Sequence, residues 1–429
     1  MSFGEAVRRK HEAGRLVVQP RMGFSDPGLM RDGLRAVRQV TAATVGTITV
    51  DSYTRQGDLA AVADALRAGT PLNGYPIASY PAATTRALVD GILGERFPVQ
   101  VRHGSAQPQR IIRELIAAGL DATEGGPVSY CLPYGRTPLA EAVRNWREAC
   151  ELLADGTGQP HLETFGGCML GQLCPPSELV AISVLEAMFF QQSGVAEVSV
   201  SYAQQTHLGQ DLEALAALRR LCAELLTGGD WHVVVYAHMG RYPRTPDGAR
   251  AVLARAAELC VLGRAQRLIV KTVAESERIP TIAENVAALE FADAAARRAG
   301  AGEAPEYDPD GGQVYREARV LVEAVLVQAA DLGDALLRAF AHGLLDVPYC
   351  LHPDNAGRAR GRIGPDGRLG WAEIGALPLG GVVERSGANP LTAADFLASL
   401  SHVQQTYDAA ALTAGPVPLA DHHSGALQR

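Results

Sequence analysis

Charged and hydroxyl side chains follow several short apolar runs of this chain. Arg55, Arg102 and Glu124 come at or just after the ends of such runs, and Tyr130 and Tyr134 lie four residues apart soon after Glu124. A guanidinium group grips a carboxylate through a bidentate pair of hydrogen bonds. Arginines that converge in an empty pocket repel one another, so their gathering predicts an anionic ligand.

Arg21 is a third candidate arginine, in the segment Leu16–Phe24. This segment is either a leading strand that delivers Arg21 to the site or a surface loop, and residue spacing alone favours the loop. The arginines also allow another interpretation, in which they form unrelated surface salt bridges. Glu124 either holds an ammonium group, acts as an acid/base or pairs a lysine. Tyr130 and Tyr134 either donate hydroxyl hydrogen bonds or pack a loop.

The segment Phe97–Tyr134 shows how these side chains would be positioned. A buried strand stops at Arg102, an amphipathic helix follows, and a second short run ends at Glu124. Strand, charged residue and helix alternate in this way in a parallel α/β barrel, whose strand C-termini carry the chemistry. The apolar runs predict eight strands at Thr44–Tyr53, Leu72–Pro76, Phe97–Val101, up to Glu124, His161–Phe165, Ala196–Ser201, Trp231–Tyr236 and Arg267–Val270. The strand ends offer Arg55, Asn73, Arg102, Glu124, Phe165, Tyr202, His238 and Lys271.

Eight strand–helix units predict a (β/α)8 TIM barrel with an additional C-terminal helical and loop segment. The expected organisation is an N-terminal extension over residues 1–40, the barrel over 41–300, a C-terminal segment packed on the barrel over 301–414, and a disordered tail over 415–429. A doubly wound open sheet is the alternative, but no Gly-x-Gly-x-x-Gly turn follows the first predicted strand.

Composition and missing motifs exclude several classes. The net charge of −8, without a basic block, argues against nucleic acid or an anionic membrane as the main partner. Seven cysteines without paired spacing favour a reducing compartment, and no run of about 18 apolar residues occurs, so we expect a cytoplasmic protein. There is no Gly-x-Ser-x-Gly elbow, His-Glu-x-x-His or Cys-x-x-Cys, so we predict no serine nucleophile and no metal ligands.

A series of short motifs resembles the large (epsilon) subunit of adenosylcobalamin-dependent glutamate mutase, also called methylaspartate mutase. The motifs occur in the order of that family and span most of the chain, so their combination is far more specific than any one of them. They are Asp51–Arg55, Leu72–Pro76, Val101–Gly104, Glu124–Tyr134, Thr164–Gly166, Cys174–Ser177, Ile269–Thr272 with Glu275, and Asp354–Gly357.

The resemblance implies a role for each candidate residue. In the family, an arginine claw holds the substrate dicarboxylate, and the matching positions are Arg21, Arg55 and Arg102. Glu124 matches the glutamate that meets the substrate ammonium, and Tyr130 and Tyr134 match the two site tyrosines. The positions that match contacts near the cofactor or the substrate are Thr49, Asn73, Phe165, Lys271, Glu275 and Ile279.

The implied activity is the radical interconversion of L-glutamate and (2S,3S)-3-methylaspartate with adenosylcobalamin. The cobalamin-binding signature Asp-x-His-x-x-Gly does not occur here. In the family it lies on a small (sigma) subunit of flavodoxin-like fold, so the resemblance implies that partner, and a homodimer of this chain within a heterotetramer.

Departures from the family pattern leave alternatives open. Cys131 stands where an amide is expected and Arg136 where lysine is expected. One alternative is the same radical mechanism on a different amino acid in secondary metabolism, for which a pocket change such as Cys131 would be the mark. Another is a non-catalytic scaffold subunit, which would be expected to have lost Lys271 or Glu124. A third is an ordinary barrel hydrolase or lyase.

Overall fold

A computed structural model describes residues 1–133, 135–169, 173–299, 307–383 and 392–414. Eight short strands form one parallel sheet in the order β1-β8-β7-β6-β5-β4-β3-β2. A parallel bridge between Val18 and Thr44 brings the two ends of this order together, so the sheet is a nearly closed barrel, as predicted. The strands are β1 (Val17–Gln19), β2 (Gly46–Thr49), β3 (Val99–Arg102), β4 (Ala122–Gly125), β5 (His161–Thr164), β6 (Glu197–Ala203), β7 (Trp231–Tyr236) and β8 (Arg267–Ile269).

Helices surround the barrel and carry the chain from strand to strand. Those up to the end of the barrel are α1 (Phe3–Glu12), α2 (Pro27–Gln39), α3 (Ser52–Gln56), α4 (Leu59–Arg67), α5 (Ala82–Val89), α6 (Gln109–Ala117), α7 (Leu139–Gly156), α8 (Pro176–Gln192), α9 (Leu208–Leu225), α10 (Pro246–Leu262) and α11 (Ile282–Ala299). None of the helices in the described ranges is long and apolar enough to cross a membrane.

The C-terminal part of the chain packs on the outside of this helical layer. It consists of α12 (Gly312–Leu326), α13 (Leu332–His342), the antiparallel hairpin β9 (Ala359–Ile363) and β10 (Leu369–Ile374), and α14 (Ala393–Ala414). Helix α12 contacts α8 and α9, whereas α14 contacts α10. The predicted disordered tail at 415–429 lies outside the described residues.

Two strand predictions were wrong. The segment after Leu16, interpreted as a loop, contains β1, which pairs with β8 and lies within the first forty residues. The predicted strand Leu72–Pro76 makes only an isolated bridge from Tyr75 to Val50. Pro76 has no N–H for a ladder, and the Tyr75 side chain turns inward to bond Thr85 Oγ1 at 2.9 Å. The count of eight is therefore correct, but with different members.

The lower half of the barrel interior is polar, which is unusual for a fold whose core is mostly branched apolar residues. Arg267 is fully buried there and pairs with the equally buried Glu163. Helix α1 closes the N-terminal end, where the Ser2 hydroxyl donates to Glu197 at 2.7 Å and the Phe3 ring lies 4.9 Å from the His161 ring. This end is held by structural contacts, so the opposite end of the strands remains for a site.

Candidate active site at the C-terminal end of the strands

Arg102 and Glu124 form a buried ion pair at the ends of two neighbouring strands, β3 and β4. Their side chains are 4% and 3% exposed, and Arg102 Nε donates to Glu124 Oε2 at 2.6 Å. The Tyr130 hydroxyl donates to the other oxygen, Glu124 Oε1, at 2.5 Å. Burial lowers the pKa of Arg102, but the nearby Glu124 and Tyr236 raise it well above its ordinary value, so the guanidinium stays charged.

Arg55 reaches the same place from α3, the short helix that follows β2. Its Nε donates to the Val50 carbonyl at 2.7 Å. Burial lowers the pKa of the Arg55 guanidinium, and so do Arg21 and Arg102, whereas Tyr130 and Glu124 act in the opposite direction. Arg55 therefore lies close enough to Arg21, Arg102 and Glu124 for their charges to act on it.

These arginines have hydrogen-bond donors to spare. Within the described part of the chain, no acceptor lies within hydrogen-bond distance of the terminal nitrogens of Arg55 or Arg102. Arg21 donates from Nη1 to Glu275 at 2.5 Å, while its buried Nε has no partner among the described residues. A buried donor without an acceptor is costly, so the arrangement is suited to a ligand with carboxylates.

A second group of side chains adjoins the first through Arg21 and Glu275. Lys271 lies 3.9 Å from Glu275 and 5.0 Å from the centre of the Tyr242 ring. Burial lowers the pKa of Lys271 to about 8, with Glu275 raising it and Arg21 lowering it further. Lys271, Glu275 and Tyr242 line a cavity of about 420 Å³ together with Gly240, Arg241, Arg244, Ser276 and Gln404.

The remaining predicted residues differ from one another in burial and in their contacts. Thr49 is partly buried, and its hydroxyl has no partner in the described ranges. Asn73 is exposed, and its side-chain oxygen accepts from the Ser52 N–H at 2.9 Å, which gives it a structural role at the start of α3. Ile279 is 45% exposed in the segment after β8. Tyr134 lies outside the described residues.

Phe165 lies beside the first group, where it forms part of the wall. It follows β5, and its ring is 4.9 Å from the Tyr130 ring and 5.5 Å from the Tyr236 ring. The other two strand-end candidates serve the scaffold. The Tyr202 hydroxyl donates to Asp211 at 2.8 Å, and His238 Nδ1 lies 3.2 Å from the Gln204 carbonyl.

Two site residues were missed by the sequence analysis. Tyr236, the last residue of β7, places its hydroxyl 2.9 Å from Glu124 Oε2, and the Arg102 guanidinium lies 5.0 Å from its ring centre. His103 directly follows β3 and stacks on Trp146 at 5.8 Å. Burial, Arg55 and Arg102 lower the pKa of His103 to about 3, so it is neutral near pH 7. The sequence feature that could have found both residues is their position at the end of a strand. Side chains on a strand point alternately inward and outward, so each strand end places one of its neighbouring residues toward the barrel interior.

A family model described as "Methylaspartate mutase E chain (MutE)" matches residues 1–394 of this chain. The chain belongs to this family. Among the relatives of this chain is the glutamate mutase epsilon subunit of Haloarcula marismortui. It is 30% identical over 387 residues, which cover 85% of this chain and 76% of the relative. That of Escherichia coli O157:H7 is 28% identical over 402 residues, covering 88% and 81%.

Solved structures with a similar fold have a much lower sequence identity to this chain. The tryptophan synthase subunit alpha from Legionella pneumophila is 14% identical, with a TM-score of 0.40, and the match covers 69% of this chain and 98% of that one. This similarity is too low to support an argument about function. The family match agrees with the resemblance drawn from the motifs.

Proposed function

We propose that this chain is the catalytic subunit of an adenosylcobalamin-dependent mutase that interconverts L-glutamate and (2S,3S)-3-methylaspartate. The observation that carries the proposal is the buried Arg102–Glu124 pair at the C-terminal end of the barrel strands, with Arg55 close enough to respond to the charges of Glu124, Arg102 and Arg21. Active sites of this barrel lie at that end. Several guanidinium groups near one another and a carboxylate beside them suit a substrate that has two carboxylates and one ammonium group.

The proposed roles follow from charge and donor geometry. Arg55 and Arg102 would bind the substrate carboxylates through their terminal nitrogens, and Arg21 would contribute from the rim. Glu124 would receive the ammonium group, since among the described residues it is the carboxylate that lies directly beside Arg102, where a substrate carboxylate would bind. Tyr130, together with Tyr134, would supply hydroxyl hydrogen bonds. Anchoring both ends of the substrate keeps its fragments in place while the carbon skeleton rearranges.

The second group of residues fits the polar part of the cofactor. Lys271 is 5% exposed, and within the described ranges no acceptor lies at hydrogen-bond distance from its ammonium. With Glu275 it faces the 420 Å³ cavity, so the pair offers both a donor and acceptors to ribose hydroxyls, and Ile279 offers an exposed apolar contact. Thr49, Asn73 and Phe165 are further proposed contacts. When bound, adenosylcobalamin supplies the radical chemistry, and this chain orients the substrate and excludes water.

We also propose a partner and an assembly. The chain has no Asp-x-His-x-x-Gly motif, so the proposal requires a small cobalamin-binding sigma subunit of flavodoxin-like fold that covers the C-terminal end of the barrel. A homodimer of this chain within a heterotetramer is the proposed complex. The seven buried and unpaired cysteines support a reducing compartment, and hence a cytoplasmic location.

The position of Cys131 supports glutamate over a different amino acid as the substrate. Its sulfur lies 3.0 Å from the Thr137 carbonyl and 3.9 Å from His352 Nε2, both parts of loops that pack beside the site. The departure from the family pattern therefore concerns loop packing, while Arg102 and Glu124 are retained.

The proposal is tested by anaerobic turnover. The chain, a cognate cobalamin-binding subunit and adenosylcobalamin would be mixed with L-glutamate, and 3-methylaspartate would be measured, with each component omitted in turn. Product that depends on all three components is the expected result. Equal product without cobalamin would refute the proposal, because the carbon skeleton would then rearrange without the cofactor.

A further inference from the structure

The Tyr236 hydroxyl lies between two buried carboxylates. It is 2.9 Å from Glu124 Oε2 and also forms a short hydrogen bond to Glu163 Oε1. All three side chains are almost completely inaccessible to solvent. A phenol has one hydrogen and donates it to one acceptor at a time, so this hydroxyl can switch its donation between the two carboxylates.

Glu163 is held firmly from its other side, by residues deep in the barrel. Its Oε2 accepts from Arg267, from Gln100 Nε2 at 3.1 Å and from the Ser199 hydroxyl at 3.0 Å. Burial raises the pKa of Glu163, but Arg267 and Arg102 and the hydrogen bonds it accepts keep that pKa below its ordinary value. Glu163 is therefore a fixed anion at the bottom of the site.

Within the described part of the chain, Glu124 is held, in contrast, by residues of the site itself. Its contacts are the Arg102 guanidinium, the Tyr130 hydroxyl and the Tyr236 hydroxyl. Arg102 and Tyr130 are themselves proposed to bind substrate, so they are drawn towards the ligand when it arrives. Tyr236 is the one contact of Glu124, among the described residues, that also bonds to the fixed carboxylate below.

We propose that Tyr236 is a positioning residue for Glu124, which it ties to the buried Glu163–Arg267 pair. This inference rests on the proposed function and adds a specific role to it. The hydroxyl holds the Glu124 carboxylate in the orientation that receives the substrate ammonium. When the ammonium donates to Glu124, the phenol hydrogen turns fully to Glu163, so Glu124 is released for the substrate without leaving a polar group unpaired.

The test is Tyr236→Phe, with Tyr202→Phe as the matched control. Tyr202 lies on the neighbouring strand β6, is as deeply buried, and loses an equivalent bond, to Asp211 at 2.8 Å. We expect Tyr236→Phe to lower kcat/KM for L-glutamate by about 10- to 100-fold, the effect of one hydrogen bond to a charged group. We expect both variants to lose thermal stability to a similar extent, and Tyr202→Phe to keep kcat/KM within about twofold.

Two further measurements separate positioning from a structural role. In a Glu124→Gln background, the effect of Tyr236→Phe on the dissociation constant of L-glutamate should largely disappear, because the two side chains act as a unit. Crystal structures of the wild type and Tyr236→Phe should differ in the orientation of the Glu124 carboxylate against Arg102. An unchanged Glu124, or equal kcat/KM losses in the two Tyr→Phe variants, would overturn the inference. If the wild type leaves glutamate unconverted, the proposed function fails, and the crystal structures still decide the role of Tyr236.

Discussion

Arg102→Lys is the substitution that examines the site most closely. Arg102 holds Glu124 through Nε at 2.6 Å, and we propose that its terminal nitrogens bind a substrate carboxylate, so one planar group would perform two tasks. Lysine keeps the positive charge but presents all its donors from a single atom. It can therefore satisfy Glu124 or a substrate carboxylate, but not both with good geometry.

The size of the effect follows from the bond that is lost. A hydrogen bond between charged groups contributes about 1.5–3 kcal/mol, and each 1.4 kcal/mol corresponds to about a tenfold change. We therefore expect kcat/KM for L-glutamate to fall roughly 10- to 100-fold. The buried charge is retained, so the variant should fold, with a loss of stability well below the roughly 3–5 kcal/mol that follows removal of one partner of a buried pair.

The assay is anaerobic turnover of the complete complex, with the thermal midpoint measured on the same preparations. Arg113→Lys is the matched control, because Arg113 also pairs with a glutamate, Glu148, at 2.7 Å, but on the surface, with 56% of its side chain exposed. Exposed pairs contribute little, so this control should stay within about twofold of the wild type. If Arg102→Lys kept full kcat/KM in a folded complex, the claim that this guanidinium binds substrate would be wrong.

Two other predictions concern the cofactor cavity and the core. Lys271→Met should raise the adenosylcobalamin concentration for half-maximal activity about tenfold. Lys10→Met removes a partly buried lysine that also has a pKa of about 8, at the opposite end of the barrel, and should leave that concentration unchanged. Burial raises the pKa of Glu178 from 4.5 to about 8, so the folded chain holds a proton that the unfolded chain has lost. Stability from this group is lost as the pH rises through that range, and Glu178→Gln should flatten the fall in thermal midpoint between about pH 6 and 8, as followed by calorimetry; an unchanged slope would contradict this.

Local patterns predicted the barrel well because its strands are short and almost fully buried, and several contain β-branched residues. The exceptions have non-local causes. β1 is three residues long, and its partner Arg267 lies about 250 residues further along the chain, so the residues near Val17 could not decide between a strand and a loop. Leu72–Pro76 meets the barrel at one residue only, where the Tyr75 N–H donates to the Thr49 carbonyl at 2.8 Å, and Pro76 has no N–H with which to extend the ladder.

In the candidate site, too, some residues can be found from local sequence patterns, and others only from contacts between distant parts of the chain. The positions of Arg102 and Glu124 at strand ends are visible in the sequence, and the family motifs name them. The bond from Tyr236 to Glu124 joins residues 112 positions apart, and choosing Tyr236 over His238 requires knowing where β7 ends. The pairing of Arg21 with Glu275, 254 positions apart, links the two groups of the site and has no local signal either.

The central claim is that the arginines and Glu124 form a pocket for an amino dicarboxylate, and a substrate panel tests it most directly. The reconstituted complex would be assayed anaerobically with L-glutamate, L-glutamine and L-2-aminobutyrate, each at several concentrations. We predict that kcat/KM for glutamate exceeds the others by at least about a hundredfold, because substrates without the second carboxylate leave a buried guanidinium unpaired. Equal or faster turnover of an amino acid with one carboxylate would contradict the account.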